Sequence, residues 1–439
     1  NGIEDWWGSI LDFEGIPLVP NFHPLVIMRG GGKSHWYLPA ATRCFQRIKE
    51  VKEGSRAFTG YSVDIIQTPK QLDDYFYQVS KSQSPCAFDI ETTMDGGETI
   101  LCIGFAHKNN LAKVVSFLPG TKTLCLEMVG VIKKWMESGA IQWIGQNAYN
   151  FDNPVLKRNW GIEVKNYIMD TMVAHTACHS ELPHGLAFLT AWYTKLRYYK
   201  DTSQDDLLNY NGLDVIATRQ VYDGLRRDLK QHGLIDQYEN YYHKLITGPL
   251  TQFYSKGVQI DAEYRKLLKS DLRSEIKTLQ KTLDKQYQKY TNTDSAKVRL
   301  RRLQQLSVGG RKSIKLPNKT KNKFTRRRVD SQIKKIKEKI KDKESLNVGS
   351  PKKLAHFLYT VLKLPKRTKQ GRVTTDEGAL NSLYIKTNHE FLKVIIKLRK
   401  TEYLYNRYGK MELDKMNRVR STYKFLETGR LSSGKYAAK

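Results

Sequence analysis

Apolar and polar positions change rhythm along this chain. From about residue 60 to 230, short apolar runs alternate with helix-spaced ones. "PCAFDIE", "ETILCIGFAH" and "LAKVVSFL" read as three successive strands, close enough together to be joined as hairpins. "TLCLEMVGVIKKWMESG" then spaces its apolar residues along one helical face and stops at Gly139. "AIQWIGQN" reads as a further strand, and most of the chain from there to residue 230 as helix. This order predicts a mixed sheet covered by helices. Beyond about residue 235 the strand rhythm fades, and "GVQIDAEYRKLLKSDLRSEIKTLQKTLDKQYQKY" reads as a long helix with Asp261 at its N-cap. Before residue 60, "GIPLVPNFHPLVIMR" leads to a glycine run and "WYLPAATRCFQRIKE" comes next as a helix, together part of an α/β unit.

Length and charge narrow the picture. The 439 residues suit two to four domains, and 40% hydrophobic content supports real cores. Lys and Arg number 74 against 44 acids, a net +30 that points to a polyanionic partner, nucleic acid first. Residues 297–343 hold 19 of the cations and three acids, more than half of the excess. That stretch reads as a solvated, mobile loop and helix whose cations would attract phosphate backbones in a salt-dependent way. No run of eighteen apolar residues occurs, so no membrane span is expected. Five scattered cysteines (Cys44, Cys86, Cys102, Cys125 and Cys178) form no C-x-x-C pair; they read as small core residues of a reducing, cytoplasmic compartment.

Within this frame the acids answer one another. Asp89 and Glu91 in "CAFDIETT" stand two apart on a strand, so both project from one face. Two such acids repel and resist desolvation unless a cation lies between them. Asp152 in "QNAYNFD" stands where a helix should begin, and Tyr210 and Asp214 in "LLNYNGLDVIATRQ" share a helical face. Four converging carboxylates make a hard-oxygen site suited to Mg²⁺ or Mn²⁺. Two such ions would bind the oxygens on both sides of a phosphodiester, one activating water and the other steadying the leaving oxygen. The Tyr210 hydroxyl would orient that water.

"FDIET", "NAYNFD" and "YNGLD" resemble, in order and spacing, the three exonuclease motifs of the DnaQ-like DEDD family in its tyrosine-bearing subclass. The resemblance implies an α/β RNase H-like domain over residues 60–232 that removes nucleotides from DNA 3′ ends. It implies metal-ligand roles for Asp89, Glu91, Asp152 and Asp214, and a water-positioning role for Tyr210. Asn147 and Phe151 become candidates for shaping the path of the terminal nucleotide. Between the second and third motifs, Asp170 is expected to be structural, and His175, His179 and His184 to be cap or surface residues.

Two later stretches, "YSKGVQID" and "GSPKKLAHFLYTVLKLPKRTKQGRVTTDEGALNSL", resemble the thumb of family A, polymerase I-type DNA polymerases. "FLETGRLSS" resembles that family's T-G-R-L-S-S motif, implying primer–template contacts for Arg430 with Thr428, Ser432 and Ser433. The implied layout is a mostly α-helical thumb over 235–420, with the basic stretch near 297–343 as an insertion, and the start of a palm over 421–439. The palm aspartates and fingers helix do not appear before "GKYAAK", so polymerisation is not expected of this stretch. The first residues, "VPNFHPLVIMR" then "WYLPAATRCF", resemble the H-P-x-x-x-x-R end of a family 4 uracil-DNA glycosylase. By that resemblance residues 1–55 would be a partial, inactive remnant with His23 facing extruded uracil, a fusion that leans towards a phage.

The expectation is a metal-dependent, proofreading 3′–5′ exonuclease portion of a family A DNA polymerase acting in replication or repair. A single-stranded 3′ end would enter the acidic site, and a primer–template duplex would lie at the thumb. The rivals are a DNA-binding clamp with an inactive exonuclease scaffold and a stand-alone DEDD ribonuclease.

Overall fold

The structure is a computed structural model, described over residues 6–29, 34–93, 99–118, 125–200, 206–291, 294–308, 331–338, 340, 345–369 and 371–434. It divides into two compact units, Asn1–Val258 with Asp414–Lys439, and Gln259–Leu413.

The first unit opens with a small hairpin, β1 (Leu11–Phe13) and β2 (Ile16–Leu18), then α1 (Pro24–Arg29) and α2 (Ser34–Lys52). Its centre is a six-stranded sheet: β3 (Ser62–Ile66), β4 (Cys86–Thr92), β5 (Ile100–Lys108), β6 (Leu111–Ser116), β7 (Trp143–Gly145) and β8 (Tyr167–Asp170). The spatial order is β3-β6-β5-β4-β7-β8. The β4, β5 and β6 neighbours are antiparallel, as hairpin linkage requires, while β3, β7 and β8 join parallel to their neighbours.

Helices cover the sheet: α3 (Pro69–Ser82), α4 (Cys125–Ser138), α5 (Asp152–Trp160), α6 (Thr171–Cys178), α7 (Leu186–Tyr193) and α8 (Leu207–Gln231). Two of the starts show a side-chain cap plainly. Thr68 and Gln71 form a reciprocal capping box at α3, and Asp206 accepts from Asn209 N at α8. One core runs through the sheet, with Phe88, Phe105 and Trp143 fully buried beside Phe76.

Two strands escape the hydrophobic rhythm. β8 has four residues inside a stretch expected to be helical, and β3 alternates too weakly to stand out from its surroundings. Both take their place through parallel pairing with distant partners, which no local pattern encodes.

The amino-terminal residues pack on the same core. Trp7 lies 4.6 Å from Phe188 between ring centroids, and Arg47 is buried on the carbonyls of Ala191 and Thr194. The turns after α8, expected to open the second domain, also belong to the first unit. Tyr238, Ile246 and Leu250 are buried in its core, and the Tyr238 hydroxyl accepts from Asp170 N at 3.0 Å.

The second unit is built on α9 (Ala262–Gln288), capped by the Asp261 carboxylate on Tyr264 N at 2.9 Å. Leu283 of α9 joins Leu354, Phe357, Leu380, Phe391, Leu392, Ile395 and Leu398 in a separate apolar core. Of the basic stretch, residues 309–330, 339 and 341–343 lie outside the described residues; 297–308 lie in a helix and 331–338 in another, with Leu303, Ile336 and Ile340 packed in one small cluster.

Candidate active site

The central strand delivers the first two acids. Asp89 and Glu91 project together from β4, with Phe88 and Ile90 buried on its other face. α8 delivers the third and fourth groups. Tyr210 and Asp214, one turn apart on α8, share the face that packs closely against the sheet. Gly212 permits that approach: a Cβ there would lie 2.5 Å from Val63 of β3. Gly104, opposite Asp89 in β5, leaves room for Asn211, whose side-chain oxygen would lie 2.5 Å from a Cβ at that position. Asn211 Nδ2 then donates to Asp89 Oδ2 at 2.8 Å and holds the carboxylate's orientation.

Carboxylate oxygens of Asp89, Glu91 and Asp214 lie within 4.8 Å of one another. Asp152, only 3% exposed at the start of α5, stands beside this group but turns Oδ1 to Ile90 N at 3.0 Å. It is therefore anchored to the strand that carries Asp89 and Glu91.

The turn that presents Asp152 is shaped by Asp170, which is fully buried at the end of β8. Its carboxylate accepts from Asn147 N, Tyr149 N, Met172 N and the Tyr167 hydroxyl at 3.0, 3.4, 3.1 and 2.8 Å. Asn147 sits at φ +59°, and a Cβ at Gly145 would meet the Ala148 side chain at 2.6 Å, so the turn is tight. The structural expectation for Asp170 thus acquires a definite object, the shape of the second motif.

Electrostatics mark the cluster. Burial raises the Asp89 carboxyl well above its ordinary value, helped by Asp152, Asp214 and Glu91. Burial and then Asp214 push Glu91 up to about 7. Burial also lifts Asp152 to about 7, against the opposing pull of the Ile90 N–H. Such acids ask for positive charge. The all-carboxylate donor set fits a divalent cation of the Mg²⁺ or Mn²⁺ class, and offers no thiolate or imidazole to a softer metal.

Sequence reasoning missed three contributors. Lys200 makes a close ion pair with Asp214 Oδ1 and donates to the Tyr210 hydroxyl at 3.1 Å. Tyr199 donates to the same Asp214 oxygen at 2.7 Å, and Asn211 holds Asp89. Asn211 lies inside the third motif, whereas Lys200 and Tyr199 precede it in "RYYK", where no spacing announces them.

The remaining candidates fall elsewhere. Phe151, the N-cap of α5, is 40% exposed and so is not core. Thr428, Arg430 and Ser433 are exposed and Ser432 half-buried on the hairpin Tyr423–Phe425 with Leu431–Ser433, whose turn uses Gly429 at φ +73°. That hairpin docks in the first unit through Phe425 and through Tyr423 O, which accepts from the Tyr149 hydroxyl and Asn150 Nδ2 at 2.5 and 3.0 Å. His175 is fully buried against His184 Nδ1 at 2.8 Å, and burial holds its pKa well below the ordinary range. It is a core residue, which corrects the expectation of a cap or surface position; neighbouring aromatic rings enclose it. His23 is exposed and accepts from Leu25 N at 3.1 Å at the head of α1.

Residues 63–230 match the family model described as 3′–5′ exonuclease, and residues 318–436 match that of DNA polymerase family A. Two segments of the chain thus match, in order, an exonuclease model and a family A polymerase model. The DNA polymerases I of Mycobacterium bovis and Mycobacterium tuberculosis are each 38% identical over 101 residues, covering 20% of this chain and 10% of the relative. The polymerase domain of Pol1 from M. smegmatis, solved with DNA primer-template and dNTP, shares the fold at a TM-score of 0.60 and 16% identity. That likeness covers 85% of this chain and 54% of the other. The chain thus spans about a tenth of its curated relatives and about half of this solved one. The α/β exonuclease domain followed by a mostly helical region is the expected fold class. Neither family model reaches residues 1–62, which contain the stretch resembling a glycosylase. Among the described residues, no helix is long and apolar enough to cross a membrane.

Proposed function

We propose that the first unit hydrolyses the terminal phosphodiester at a DNA 3′ end, proofreading for a family A polymerase. The convergence of Asp89, Glu91 and Asp214 oxygens, with Asp152 anchored alongside, carries this reading. When bound, two divalent ions, Mg²⁺ or Mn²⁺, would activate water and stabilise charge developing on the phosphate and the leaving oxygen.

The chain's own groups do the rest. Asp89, Glu91 and Asp214 would hold the ions, Asp152 would complete the set by turning from Ile90 N, and Asn211 keeps Asp89 oriented. Tyr210 presents its hydroxyl beside Asp214, where it would align the attacking water. Exposed Phe151 offers a ring face to the terminal base, and Asn147 shapes the turn beneath it. Arg430, Thr428, Ser432 and Ser433 would contact primer–template phosphates from their hairpin. The clamp reading has no use for acids gathered this closely, whose mutual repulsion a divalent cation would relieve.

The test uses a 3′-labelled single strand. Release of labelled nucleoside monophosphate with Mg²⁺, and none with EDTA, is expected. Release of oligonucleotides, or release that survives chelation, would contradict the reading.

A further inference from the structure

One cation of the chain itself reaches into the acid cluster. Lys200 leads from α7 towards α8, and its side chain is only 16% exposed. Its ammonium pairs with Asp214 Oδ1, donates to Tyr210, and lies 4.7 Å from the Tyr210 ring centroid and 5.1 Å from that of Tyr199. Asp214 Oδ1 is thereby committed twice, to Lys200 and to the Tyr199 hydroxyl. The two aromatic faces and the carboxylate form a fitted seat for an ammonium.

We infer that Lys200 is a positioning residue of this site: it holds Asp214 and Tyr210 before the metal arrives and, by competing for Asp214, sets the concentration of divalent ion the site requires. The inference rests on the metal-dependent reading above. A divalent cation on Asp214 and an ammonium on the same carboxylate repel at close range in a site shielded from water. A divalent ion held by Asp214 would therefore work against the Lys200 ion pair on the same carboxylate. The residue that organises the metal-free site also opposes the ion, so its removal should tighten binding rather than weaken it. A purely structural lysine predicts the reverse.

The measurement is calorimetric titration of the whole chain with manganese chloride, with no nucleic acid present. Lys200→Met is expected to lower the Mn²⁺ Kd about tenfold, equivalent to ~1.4 kcal/mol. Lys200→Arg, which keeps the charge, should stay within about threefold of the parent. Lys200→Gln keeps a donor for Asp214 without the charge and provides a second neutral variant should the methionine variant fail to fold. It should also bind more tightly. An unchanged or raised Kd in a folded neutral variant would overturn the inference. The Asp89→Ala/Glu91→Ala variant separates the two levels of argument. If it loses Mn²⁺ binding while the lysine variants bind like the parent, the metal site stands and the role of Lys200 falls; if it too binds like the parent, the site reading itself falls.

Discussion

The two units treat charge in opposite ways. In the first, Asp152, Asp170, Asp214, Arg47 and Arg219 are buried with polar partners of their own. In the second, the buried polar side chains among the described residues are Thr375 and Thr401, and the core is otherwise apolar. A helical unit satisfies its backbone internally and needs only an apolar stripe per helix. The sheet unit instead places ionisable groups where desolvation disfavours them, and places them together. That arrangement contributes little to stability and is the mark of a site.

The sharpest break of this contrast in stability is Asp170→Ala. It strands the N–H groups of Asn147, Tyr149 and Met172 and the Tyr167 hydroxyl in the interior. We expect a loss of about 3–5 kcal/mol in urea unfolding, with nuclease turnover down about 100-fold as the second motif loses its shape. Ile395→Ala in the second core should cost about 2–5 kcal/mol by leaving a cavity. It should leave the nuclease rate of the folded protein unchanged. Equal nuclease losses from both substitutions would remove the distinction between the units.

A smaller effect lies in pH. Glu91 and Asp152 are raised to about 7 by burial, far above their values in an unfolded chain. Their protonated forms therefore favour the fold, a contribution present below about pH 4 and lost as pH rises through about 7. On the proposed reading, divalent ions would take the place of those protons. The gap in Tm between the Mn²⁺-loaded and chelated protein should widen by about 4 °C or more between about pH 5.5 and about pH 8. A gap that narrows would mean that the ion binds elsewhere. The smallest effect belongs to the exposed hairpin. Arg430→Ala should weaken duplex DNA binding about three- to tenfold, and lower the slope of log affinity against log salt by about one.

The acids of the site are legible in the sequence because regular structure turns spacing into geometry. Two residues apart on β4 and four apart on α8 each mean one face, whatever the rest of the fold does. Asp152 is legible as a helix start. Lys200 and Tyr199 are not, because both enter from a connection whose path depends on tertiary packing. Asp170 can be recognised as structural, but its hold on the second motif cannot, since β8 itself is hidden among helices. His175 misleads for a related reason: polarity suggests a surface position, while its aromatic neighbours enclose it.

The most direct test of the central claim tracks a 5′-labelled single-stranded DNA with Mg²⁺, with EDTA, and with the Asp89→Ala/Glu91→Ala variant. The account predicts a ladder shortening from the 3′ end, absent after chelation and slowed at least about 1,000-fold in the variant. An intact strand in every lane, with DNA still bound, would contradict it and leave a protein that grips DNA without cutting it.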